Sequence, residues 1–212
     1  MVKVKICGIT NWPDASDAIK AGVNFLGFNF YPKSPRCISP ALARRIVKRL
    51  PEHVAAVGVF VNAAKDEMLS IASTVGLDYL QLHGEELPEL VTELDQAIPV
   101  IKALRVHQAF RVSELSRFKQ ASAFLLDGFD RRARGGTGKT IDWTLARRAG
   151  RTRRIFLAGG ITPENAALAV SVAKPYAIDV CSGVERSKGK KDAERMRALL
   201  HAVRSTRRKL KP

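Results

Sequence analysis

Eight short apolar runs recur at near-regular intervals along the 212-residue chain, and each gives way to a polar or glycine-bearing turn. They occupy residues 2–6, 25–30, 54–61, 79–82, 100–104, 123–126, 155–158 and 177–180. Between and after them lie stretches with helical periodicity, at 14–21, 40–49, 64–75, 86–97, 110–117, 142–148, 163–173 and 192–203. Strands alternating with helices pair in parallel, because a parallel neighbour is reached only through a long, right-handed crossover. Eight such units of similar length predict a single-domain α/β fold, a (β/α)8 TIM barrel, with an open doubly wound sheet as the alternative. A barrel of this kind gathers its chemistry at the strand C-termini, so function is sought just after each run.

The length suits one well-buried core over residues 1–205, followed by a basic tail at 206–212. No stretch approaches the roughly 18 consecutive apolar residues of a membrane span, and the opening MVKVKICGIT lacks the apolar centre of a secretory leader. The expected setting is therefore the cytoplasm, with no membrane partner. Cys7, Cys37 and Cys181 are scattered, matching neither a disulfide framework nor paired metal-ligand spacing, which predicts reduced thiols and no metal site. Half of the net charge of +16 sits in residues 187–212, where ten Lys and Arg face two acidic residues. That segment reads as a final amphipathic helix with a solvated basic end. No aromatic residues interleave its charges as stacking platforms would, which argues against a nucleic-acid partner.

Helix starts are marked at Ser39-Pro40 and at Thr162-Pro163, each a capping residue followed by a proline at the first helical position. Strand alternation then assigns faces. In the first strand Val2, Val4 and Ile6 turn to the helices, and Lys3, Lys5 and Cys7 turn inward. The same rule points Asp179 inward between Ile178 and Val180, sets Leu125 and Asp127 on one interior line, and aligns Gln81 with His83. A thiol, two carboxylates and an imidazole thus reach one rim from distant parts of the chain.

The segments KVKICGIT (3–10), GFNFYPKSPRCIS (27–39), VGVFVN (57–62), LQLHG (80–84), LLDG (125–128), GGTGKTIDW (135–143), LAGGITPENA (157–166) and IDVCSGVE (178–185) together resemble the phosphoribosylanthranilate isomerases of tryptophan biosynthesis. They run in order over nearly the whole chain. The resemblance implies that Cys7 is a general base and Asp127 a general acid, and that Arg36 binds the anthranilate carboxylate. It implies further that His83 lines the site, that Asp179 contacts substrate hydroxyls, and that Gly159, Gly160, Ser182 and Gly183 surround the substrate phosphate. Two residues depart from the family pattern: Cys181 stands where serine is usual, and Asn29 where an apolar residue is common.

The implied reaction converts an aldosylamine phosphosugar to a ketose by two proton transfers and needs no cofactor. Asp127 can donate only if it still holds its proton near neutral pH. Cys7 is basic only as a thiolate, and a free thiol with pKa about 8.5 is mostly protonated at neutral pH, so Lys5 on the same strand face is the expected positive neighbour. Arg36 offers a planar fork suited to a carboxylate. Plainer readings stay open. Cys7 fits a small buried apolar position, Asp127 a turn before Gly128, Arg36 a surface loop, His83 a core histidine partnered by Gln81, and Asp179 an interior salt bridge to a strand lysine.

The turns after the seventh and eighth runs suit an anion held by backbone N–H groups. The other glycine run, 135–139, lacks phosphate-loop spacing because Ala133 stands where a glycine is required; residues 129–140 read instead as a loop over the substrate. Other phosphosugar barrels, such as sugar-phosphate epimerases or thiamine-phosphate synthases, share the glycine turns, and a non-catalytic basic barrel is a third reading. Nothing in the pattern sets an oligomeric state.

Overall fold

The computed structural model describes residues 1–128 and 142–206. The expected substrate loop with its glycine run, and all but the first residue of the expected tail, lie outside the described residues. Eight strands, β1 (Lys3–Cys7), β2 (Phe25–Asn29), β3 (Ala55–Phe60), β4 (Tyr79–Leu82), β5 (Val100–Val106), β6 (Ala123–Gly128), β7 (Ile155–Ala158) and β8 (Ala177–Val180), pair in parallel with their sequence neighbours. β8 then pairs with β1, through Lys5 opposite Asp179 and Ile6 opposite Val180, and closes the barrel. The open-sheet alternative is excluded.

Helices α1 (Trp12–Ala21), α2 (Pro40–Val47), α3 (Lys65–Val75), α4 (Pro88–Asp95), α5 (Trp143–Ala149), α6 (Ala166–Ala173) and α7 (Ala193–Ser205) follow their strands. Among the described residues no helix is long and apolar enough to cross a membrane. Local chemistry sets several ends. Asn11 accepts from the Asp14 N–H at the start of α1, and Gly22 ends it with a left-handed φ of 93°. Ser39 caps α2 before Pro40, as the sequence predicts.

Three expectations need correction. The helix after β7 begins at Ala166 rather than at Pro163, because Asn165 directs its side-chain oxygen to the Thr162 N–H and its amide to the Gly160 carbonyl, folding that stretch into a turn. The segment after β5 is a 3-10 helix, Val112–Phe118, in which Ser116 bonds the Ser113 carbonyl instead of leaving the local backbone to an α-helical ladder. The basic stretch before α7 is not simply a solvated charge run: β9 (Glu185–Ser187) and β10 (Lys190–Lys191) form a hairpin, and Lys191 is fully buried.

Two layers of core follow from strand alternation. Outward residues such as Val4, Ile6, Leu126, Ile178 and Val180 pack against the helices. Inward residues Phe25, Val57, Ile101, Leu125 and Phe156 fill the barrel floor, with the Phe25 and Phe156 ring centroids 5.3 Å apart. Near the strand C-termini the helix-facing side also buries charge, because Lys102 lies between the inward Ile101 and Ala103. Lys102, on β5, extends its Nζ to 2.6 Å from Glu86 Oε2 and 2.8 Å from the Gly84 carbonyl, while Glu86 accepts from the N–H groups of Asn62 and Gly84. This buried knot ties the β3 and β4 turns to β5.

Removing one member of a buried ion pair strands the other charge, which costs about 3–5 kcal/mol. Lys102→Met is expected to lose stability in that range by urea unfolding, and Lys102→Met/Glu86→Gln to recover part of it. A loss below about 1 kcal/mol in the single variant would show that the knot carries little of the fold.

Candidate active site

At the C-terminal rim the inward positions of β1, β4, β6 and β8 and the following turns enclose a cavity of about 380 Å³. Every residue nominated from the sequence lines it: Cys7, Arg36, His83, Asp127, Gly159, Gly160, Asp179, Ser182 and Gly183. The volume falls within the usual range for a small-ligand site, roughly 300–1,000 Å³.

Below the cavity floor, Lys5 Nζ lies 2.9 Å from Asp179 Oδ1, with both side chains buried. The interior salt bridge left open by the sequence is therefore present, and Asp179 also reaches the cavity wall. Burial alone would lower the Lys5 ammonium, but Asp179 and Cys7 together raise it, so Lys5 stays charged. Burial pushes the Asp179 carboxyl up to about 6 against the attraction of Lys5. Cys7 moves the other way. Hydrogen bonding from the Cys181 thiol, opposed by burial and helped by the charges of Lys5 and Lys191, holds its thiol well below the ordinary value. The two cysteines divide the proton unequally, since contact with Cys7 and burial push Cys181 up.

Across the mouth, His83 Nε2 lies 3.4 Å from Asp127 Oδ2, and its Nδ1 is 2.9 Å from Gln81 Nε2. An amide nitrogen donates, so in this orientation Nδ1 accepts and the neutral ring carries its proton on Nε2, toward Asp127. Gln81 Oε1 is buried with no hydrogen-bond partner among the described residues, an unused acceptor on a cavity-lining side chain. Asn29, the second departure from the family pattern, also lines the cavity and accepts from the Tyr31 N–H at 2.9 Å.

At one end, Gly159 and Gly160 take left-handed φ values of 86° and 65°, which few other residues adopt. Gly183 faces them from the β8 turn, where a Cβ would fall onto the Ile161 carbonyl oxygen. Glycine at these positions brings two turns close enough for both backbones to face one ligand. Arg195 of α7 fixes the second turn by donating from Nε to the Gly183 carbonyl at 3.0 Å.

Sequence reasoning missed the support of Arg36. Its Nε and Nη2 donate to Glu185 at 2.7 and 2.6 Å, a bidentate pair, and Lys191 Nζ donates to the same carboxylate at 2.9 Å. Burial opposes the charge on Glu185, but the two cations keep its carboxyl below the ordinary value. Lys191 also donates to the Cys181 carbonyl at 3.1 Å. Glu185 closes the IDVCSGVE segment, which was the available signal; Lys191 was hidden in a basic run.

A family model described as N-(5'phosphoribosyl)anthranilate (PRA) isomerase matches residues 4–202. An N-(5'-phosphoribosyl)anthranilate isomerase of Citrifermentans bemidjiense is 48% identical over 94% of this chain and 96% of its own. The crystal structure of phosphoribosyl anthranilate isomerase from Thermotoga maritima superposes with a TM-score of 0.90 at 43% identity, covering 97% of this chain and all of that one. A further phosphoribosyl anthranilate isomerase structure, in complex with reduced 1-(o-carboxyphenylamino)-1-deoxyribulose 5-phosphate, is 41% identical with a TM-score of 0.86, again over 97% of this chain and all of that one.

The electrostatic arrangement gives two shifts of opposite sign. Lys5→Met is expected to move the pH profile of Cys7 alkylation to higher pH, and Asp179→Asn to lower pH, because one removes a positive and the other a negative neighbour of the thiolate. Peptide mapping of alkylated Cys7 reads both. Profiles unchanged in both variants would remove the Lys5 charge as a contributor to thiolate stabilisation, leaving the Cys181 hydrogen bond and Lys191.

Proposed function

The chain belongs to the N-(5'-phosphoribosyl)anthranilate isomerase family, and we propose that Asp127 and Cys7 divide between them the two proton transfers of the reaction. The protein is an aldose-ketose isomerase of tryptophan biosynthesis, acting on a small phosphosugar. Asp127 protonates the furanose ring oxygen, the C1–O bond breaks, and a Schiff base forms between C1 and the anthranilate nitrogen. The Cys7 thiolate then takes the proton from C2. The resulting enolamine tautomerises to the 1-deoxyribulose ketone.

The observation that carries this reading is that Cys7 and Asp127 line one cavity that also contains the two glycine turns. Backbone N–H groups of Gly159, Gly160, Ser182 and Gly183 hold the phosphate, for which glycine's lack of a Cβ permits close approach. That mode of binding makes the Cys181 hydroxyl-to-thiol departure of small consequence for affinity. Arg36, braced by Glu185, meets the anthranilate carboxylate with its remaining N–H groups. Asp179, with Oδ1 committed to Lys5, takes a sugar hydroxyl on its other oxygen. His83 donates to Asp127 and orients it, a positioning role. Residues 1–205 suffice for the chemistry, the basic tail at 206–212 takes no part, and the enzyme works in the cytoplasm without a nucleic-acid or membrane partner.

Following the loss of anthranilate-type fluorescence after mixing with freshly generated phosphoribosylanthranilate tests the assignment. Asp127→Asn and Cys7→Ser are each expected to lower kcat on the order of 10²–10⁴-fold with the fold intact. Arg36→Lys is expected to act mainly through KM, because a lysine keeps the charge and loses the fork. Turnover retained in Asp127→Asn would assign the proton to another donor.

A further inference from the structure

Barrel closure brings together two thiols from nearly opposite ends of the chain. Ile6 pairs with Val180 across the β1–β8 seam, so Cys7, the last residue of β1, and Cys181, the first residue after β8, directly follow a register pair, and the inward pair one step below, Lys5 and Asp179, is already in contact. Cys181 Sγ lies 3.1 Å from where a Cβ on Gly8, directly after Cys7, would stand, and 3.6 Å from Lys191 Nζ; both cysteines line the open cavity. A disulfide needs Cα atoms roughly 4.4–6.8 Å apart, and the residues immediately before the two cysteines, Ile6 and Val180, are register partners. The third cysteine, Cys37, is exposed and lies outside the cavity lining.

We propose that Cys7 and Cys181 are a peroxide-sensitive dithiol, which closes a reversible disulfide at the cavity and withdraws Cys7 from proton transfer. The Cys7 thiolate attacks one peroxide oxygen, the O–O bond breaks, hydroxide leaves, and Cys7 becomes a sulfenic acid. Cys181 sulfur then attacks the Cys7 sulfur, and the sulfenic oxygen departs as water carrying the Cys181 proton. Sulfur loses two electrons and peroxide gains them. Cys7 carries the thiolate and Cys181 the proton, the division of labour between an attacking and a resolving thiol. Cys181 thereby also shields Cys7 from irreversible oxidation to the sulfinic acid. The loss of turnover rests on the base role proposed for Cys7; the pairing of the two sulfurs does not.

The test exposes the purified full chain to graded hydrogen peroxide, maps its disulfides by mass spectrometry, and follows turnover before and after dithiothreitol. Wild type and Cys37→Ser are expected to lose the mass of two hydrogens, to yield a linked Cys7–Cys181 peptide, and to lose turnover that dithiothreitol restores. Cys181→Ser, normalised to its own untreated rate, is expected to gain two oxygens on Cys7, the sulfinic acid, at peroxide doses from which wild type recovers, and to stay inactive after dithiothreitol. Oxygen addition without the linked peptide in wild type, or full recovery of Cys181→Ser, would overturn the proposal. A linked peptide with turnover undiminished would refute the silencing and remove Cys7 as the base, leaving the pairing in place. Because wild-type mapping decides the pairing, the outcome does not depend on how the variants fold.

Discussion

Hydrogen bonding between the first and last strands of the barrel is the constraint on which the site depends. β1 carries Lys5 and Cys7 near the start of the chain, and β8 carries Asp179, with Cys181 just past its end. Only closure places them side by side, and the buried pair formed by Lys5 and Asp179 at that seam resists any slip in register, because a slip would leave both charges unpaired inside the barrel. The same ion pair supplies the positive charge beneath Cys7. Fold closure therefore also brings up two of the groups that lower the Cys7 thiol, the Cys181 hydrogen bond first and the Lys5 charge after it.

Charge burial continues around the rim by the same rule. Lys102 meets Glu86, and Lys191 meets Glu185, each lysine fully buried and within hydrogen-bond distance of its carboxylate. Such pairs add little net stability, since desolvation offsets much of their attraction, but they define position sharply. Glu86 fixes the turn that follows His83, and Glu185 holds the Arg36 fork while Lys191 anchors the backbone at Cys181. A rim held this way keeps Asp127, Cys7 and the two glycine turns in place before substrate arrives, which is what the proposed proton transfer by positioned groups requires.

Periodicity made the barrel legible, because each strand has an apolar outer face that must meet a helix, and alternation correctly turned Lys5, Cys7, Asp127 and Asp179 inward. Strand ends were harder to read. β5 and β6 continue to Val106 and Gly128, past their apolar runs, since Arg105 and Asp127 interrupt the hydrophobic pattern yet stay in the hydrogen-bonded ladder. Asp127 falls there because the end of β6 faces the cavity. The braces were not legible at all. Arg36 and Glu185 are 149 positions apart, and a lysine such as Lys191 in a basic stretch has no local mark of burial. The turn at Thr162 was misread because the side chain of Asn165 folds back on the preceding residues instead of capping a helix begun at proline.

The most direct test of the account is a crystal structure of this chain with a reduced, non-isomerisable analogue of the ketose product. The account predicts the phosphate between the Gly159-Gly160 and Ser182-Gly183 turns, with Cys7 Sγ facing the sugar C2 region and the Asp127 carboxyl facing the oxygen released from the ring. A phosphate bound elsewhere, or a sugar that leaves Cys7 and Asp127 on the same side and out of reach of those atoms, would contradict it.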